Sequence, residues 1–190
     1  MQPPIQECLS RLEKEGVLLK ADSRLASVAT LVAMEPIRGS WWAHPAAETI
    51  LKTIQQLAAR PDVVLTKLIG GKDTFVHKQL WPELLSIATS KQAWQLEHLS
   101  SSAKRMYKDV EEKGEVEAAG PDAKALESRL LVRGEQFHSD TGNHKKRLES
   151  WHRWAERVGI NESDIPEVSE SKRILESRYP GAKWPWKERK

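Results

Sequence analysis

A chain of 190 residues with 39% hydrophobic content can bury one ordinary core or two small ones. Its 30 Lys and Arg stand against 27 Asp and Glu, and the resulting +3 equals that of the closing "KWPWKERK" alone. The body is neutral, which argues against a protein coated in positive charge for gripping a polyanion. No apolar run nears the ~20 residues that cross a bilayer, and "MQPPIQECLS" has no cationic-then-apolar leader, so a cytoplasmic chain without membrane attachment is expected.

Ile5, Cys8, Leu9 and Leu12 recur at helical spacing, and Gly16 stops that first helix. Cys8, the single cysteine, lies in this stripe and reads as a small buried hydrophobe. "VLL" from Val17 adds a brief strand. Asp22 or Ser23 is expected to cap a second helix that buries Leu25, Val28, Ala29 and Val32, with Pro36 ending it. After the loop "RGSWWAHP", a third helix buries Ala47, Ile50, Leu51, Ile54, Leu57 and Ala58. Its outward positions are Glu48, Thr49, Lys52, Thr53, Gln55 and Gln56.

"VVLTKLIGGKDTFVHKQLW", Val63 to Trp81, reads as two strands around a Gly-Gly turn. Helix, strand, helix, helix, strand, turn, strand is the winged-helix order. A fourth helix starts at Pro82, and "SKQAWQLEHL" leads to a cap at Ser100 or Ser101. The second half then partly echoes the first. Ala103, Met106, Tyr107 and Val110 form a stripe closed by Gly114, "EVEAAG" is a short strand or loop, and Pro121 and Asp122 open a helix with Ala125, Leu126 and Leu130. "VRGEQFHSDTGN" alternates and turns, and Leu148, Trp151, Ala155 and Val158 place a last long helix from about Asn143 to Gly159. The fold expected is mainly α with small β-hairpins (α+β), a winged helix-turn-helix with two tandem winged-helix-like halves as an option. Its parts are a winged-helix domain over 1–95, a second half over 96–160, and an extension over 161–190 whose basic Trp and Pro tail lies extended and could dock elsewhere.

The first hairpin gathers Lys67, Lys72, His77 and Lys78, positive charge on an element that often reaches a phosphate backbone. Gln55, Gln56 and Lys52 can meet base edges from the third helix, while Glu48 opposes phosphate. Trp41 and Trp42 can brace a groove wall or stack on a base, although most of the eight tryptophans suit seams between helices. His144, Lys145, Lys146 and Arg147 fall at the predicted start of the last helix, where cations oppose the macrodipole and call for an anion, either a phosphate or a neighbouring carboxylate. His138, Asp140, His144 and His152 are the densest potential metal ligands, but their spacing does not converge, so no metal is expected. No phosphate loop, dinucleotide fingerprint, nucleophile elbow or zinc-protease motif occurs, so no cofactor is expected either.

"RGSWWAHP", "KLIGGKDTFVHKQLWPELL" and "ESRLLVRGEQFHSDTGNHKKRLESWHRWA" together resemble a group of small bacterial winged-helix proteins, over roughly Ile5 to Gly159. The order of elements more distantly resembles the tandem winged-helix DNA glycosylases that unhook interstrand crosslinks. That resemblance implies DNA binding and base excision by a Gln, apolar residue, Gln or Asp triplet, for which Gln95-Leu96-Glu97 is the nearest match. Glu97 departs from the pattern, and the chain is about half the length such an enzyme needs. Non-catalytic binding of DNA is the expected function, with a protein-interaction module and a base-excision enzyme as alternatives.

Overall fold

The computed structural model describes residues 4–138 and 144–187, and it is an α+β protein with two small antiparallel three-stranded sheets. The chain divides into two compact units, Met1–Trp81 with Glu176–Ala182, and Pro82–Leu175 with Lys183–Lys190. In the first, helix α1 (Pro4–Glu15) buries Cys8 and Leu12, and Gly16 ends it at φ 78°. A Cβ at Gly16 would lie 2.2 Å from Leu80 Cδ1, so close packing as well as φ requires glycine there. Burial pushes the Cys8 thiol up to about 12, helped by the Glu7 charge, so it is protonated and inert at neutral pH.

Strand β1 (Val17–Leu19) is wholly buried. Helix α2 (Val28–Ala33) begins later than Asp22 or Ser23, because Ser27 and Thr30 form a reciprocal capping box. Asp22 caps the turn before it instead, accepting from the backbone N–H of Arg24 and Leu25 at 2.7 and 2.9 Å. Helix α3 (Ala47–Ala58) buries Ile50, Ile54 and Leu57, and β2 (Val63–Lys67) and β3 (Asp73–His77) form the hairpin. The sheet order is β1-β3-β2, so Phe75 on the central strand packs into a core with Leu12, Leu18, Val28, Ile50 and Leu57.

The chain continues through α4 (Trp81–Ala88), α5 (Ala93–Leu96), α6 (Ser101–Lys113), β4 (Glu115–Glu117), α7 (Gly120–Ser128), β5 (Arg133–His138), β6 (His144–Glu149), α8 (Trp151–Val158) and α9 (Val168–Arg178), and all but Trp81 and the last turn of α9 belongs to the second unit. Its sheet order is β4-β6-β5, the same pattern as in the first unit. Only residues 129–132 separate α7 from β5, where the first unit has α3 between its second helix and its hairpin.

Two further expectations are corrected. The helix predicted from about Asn143 is strand β6 up to Glu149, and α8 starts only at Trp151. Leu148 fits both periods, since it can begin a helical stripe or alternate inward in a strand. Its burial opposite Gly134 and Val116, with Ser150 Oγ capping the Arg153 N–H, settles the boundary. The described part of the tail, up to Lys187, does not lie extended. Trp184 is buried, the Lys187 N–H closes a turn onto its carbonyl, and Trp186 stacks on it with centroids 5.1 Å apart.

Candidate functional site

Three of the four basic side chains of the first hairpin, Lys67, Lys72 and His77, face carboxylates. Lys67 and Asp73 face each other in register, with Nζ 2.8 Å from Oδ1, and Lys20 approaches the other carboxylate oxygen at 3.3 Å. Lys72 pairs with Asp22. His77 lies 3.7 Å from Asp62, which also takes a two-pronged contact from Arg60 at 2.8 and 2.6 Å. Burial works to raise the Asp73 carboxyl, but Lys67 and Lys20 overcome it and hold the group below the usual carboxylate range. Asp62 is held down mainly by Arg60, against burial. Each acid is therefore ionised at neutral pH and offsets the cation beside it. Lys78 is exposed at the end of the hairpin.

On α3, Lys52, Gln55 and Gln56 are exposed beside Glu48 and Thr49. Thr53, expected to point outward, is buried and donates to the Thr49 carbonyl at 2.8 Å. Trp41 is buried, whereas Trp42 is 61% exposed and stacks on it with centroids 4.0 Å apart. Met34, in the same α2–α3 connection, is 79% exposed with left-handed backbone. His44 pins the connection, its Nδ1 accepting from the Ala46 N–H and its Nε2 lying 3.0 Å from Glu35. Between this connection, the Asp22 turn and Lys72 opens a cleft of about 200 Å³, walled by Ala29, Ile37 and Trp41.

The basic group of the second unit lies on β6 rather than at a helix start. Lys146 reaches the buried Glu127 at 2.6 Å, and Arg147 is exposed in register with Glu117 and Glu135. His144 and Lys145 are placed on the strand. Buried Glu149 takes Arg133 at 2.9 Å and Arg157 at 2.8 Å, and these pairs outweigh burial to hold its carboxyl low. Of the potential metal ligands, Asp140 and the side chains of His138 and His144 lie outside the described residues, and His152 is exposed on α8. Among the described residues, no three His, Cys, Asp or Glu are grouped to hold a metal ion, and no helix is long and apolar enough to cross a membrane.

Gln95 is fully buried. Its Oε1 accepts from Ser90 Oγ and the Gln92 N–H at 3.0 and 2.9 Å, and its Nε2 donates to the carbonyls of Ala88 and Arg129 at 3.1 and 3.3 Å. Arg129 donates in return to the carbonyls of Trp94, Gln95 and Glu97. The amide is thus committed to joining α5 to the end of α7, and it lines no groove where water could be activated. Glu97 is exposed.

Sequence reasoning overlooked the acids that answer the hairpin cations. One signal was available for Asp73, since a five-residue turn over 68–72 sets Lys67 opposite it. Asp22 and Asp62 come from outside the hairpin strands, and no local pattern points to them. No protein-family model, curated protein or solved structure matches the chain.

Proposed function

We propose that the chain is a non-catalytic binding protein whose first unit is a winged helix, and that the partner it meets is a protein. The helix and strand order and the β1-β3-β2 sheet support the winged-helix assignment. The second unit, with the same sheet order but no counterpart of α3, reads as a reduced winged-helix-like half. The observation that carries the choice of partner is the pairing of Lys67, Lys72 and His77 with Asp73, Asp22 and Asp62. A phosphate backbone approaching this hairpin meets carboxylates as well as cations, and gains little counterion release. The exposed Met34 and Trp42 are the kind of side chains that enrich protein interfaces.

DNA is the second reading, favoured by Lys52, Gln55 and Gln56, which are exposed on α3 and suited to base edges. Salt separates the two. In gel-shift assays at low ionic strength, single- and double-stranded oligonucleotides are expected to show no retardation. Co-purifying proteins identified from the source cell should persist as salt rises and be lost in Trp42→Ala and Met34→Asn, the latter chosen because Asn tolerates left-handed backbone. Retardation that weakens steeply with salt and disappears in Lys52→Ala would replace this reading with DNA binding.

A further inference from the structure

We infer that the cleft beneath Lys72 is an anchor pocket for one arginine side chain of a protein partner, with Asp22 as the counter-charge and Trp41 as the stacking wall. This rests on the protein-partner reading and names the chemistry that the partner brings. At about 200 Å³ the cleft is smaller than sites that enclose whole drug-sized ligands, and it suits a single side chain. Its walls are apolar at Ala29 and Ile37 and aromatic at Trp41, one face of which is already covered by Trp42.

The charge in the cleft is asymmetric. The Asp22 side chain is only 9% exposed and is fixed by the backbone N–H groups of Arg24 and Leu25, whereas Lys72 covers it from a side chain that is 53% exposed. The anion is built into the fold, and its cation covers it from an exposed side chain. A guanidinium can replace that ammonium while adding a planar, forked set of donors to the carboxylate and a stack on indole, neither of which lysine offers as well. The displaced Lys72 regains water. A phosphate or carboxylate ligand would instead face Asp22 directly.

The test uses the full chain and the blocked tripeptides acetyl-Gly-Arg-Gly-amide, acetyl-Gly-Lys-Gly-amide and acetyl-Gly-Glu-Gly-amide, following the Trp41 indole N–H by NMR. The arginine peptide is expected to shift that resonance saturably and the glutamate peptide not at all. Removing the cover in Lys72→Ala should tighten arginine binding by roughly fivefold, a gain that a merely structural lysine would not give. Asp22→Asn, which keeps an oxygen for both backbone N–H groups, should weaken it by about tenfold. Should Asp22→Asn fail to fold, the Lys72→Ala gain decides. Absence of any saturable shift in Lys72→Ala, equal binding of the glutamate peptide, or equal binding of the lysine peptide overturns the arginine pocket. A silent pocket with co-purification still lost in Trp42→Ala overturns this site alone, whereas co-purification indifferent to Trp42→Ala and Met34→Asn overturns the protein-partner reading.

Discussion

At the scale of single residues, the weight of Gln95 lies in what its removal strands. Gln95→Ala leaves the buried carbonyls of Ala88 and Arg129 and the Gln92 N–H without their present partner. Unfolding by urea should show a loss of about 2–4 kcal/mol. Glu97→Ala, at an exposed position, should change stability by no more than about 0.5 kcal/mol. Gly134 is a second such residue, for steric reasons. A Cβ there would meet Glu127 Oε1 at 1.9 Å, and Glu127 is buried and tied to Lys146. Gly134→Ala is expected to destabilise by about 2 kcal/mol or more, read as a lowered Tm, because moving Glu127 aside also disturbs a buried ion pair. Neither role was legible in the sequence. A glutamine in a connector and a glycine in a strand acquire meaning only from what lies beside them.

At the scale of elements, helices with long stripes and clear stops were legible. Those of α1, α3 and α6 repeat apolar residues over several turns and close at Gly16, before Pro61, or at Gly114. The misplaced last helix shows where periodicity runs out. One residue, Leu148, serves two patterns, and the cap that sets the true start is Ser150, seven residues after Asn143. Ser150→Ala should cost about 1 kcal/mol through the loss of its bond to the Arg153 N–H, measured by thermal unfolding, while leaving the β6 register unchanged in amide-exchange patterns. The late start of α2 has a related origin, since Asp22, Ser23 and Ser27 are all competent caps and only Ser27 has Thr30 at the reciprocal position.

At the scale of the whole molecule, paired charge governs the acid response. Asp22, Asp62, Asp73 and Glu149 each have a carboxyl held below its ordinary range. A carboxylate whose folded pKa is lowered contributes stability that is present above the unfolded value and is lost as pH falls through the folded one. The urea midpoint should therefore hold from neutrality to about pH 5 and decline between about pH 4 and pH 2. A midpoint that stays flat to pH 2 would contradict the ion pairs described. The α+β class and the first hairpin were legible because they follow from local pattern. The character of the surface was not, since it depends on Asp22 and Asp62 reaching cations brought in by the folded chain.

The grouping of the tryptophans gives each unit its own optical signature. Trp41 and Trp42 are stacked inside the first unit, while Trp151 and Trp154 meet edge-on and Trp184 and Trp186 lie parallel inside the second. Indoles this close couple their transitions, so circular dichroism should carry exciton bands that vanish pair by pair on heating. Trp42→Phe would silence the first unit's band and Trp186→Phe the parallel pair's, so one unlabelled sample could report whether the two units melt together or in turn.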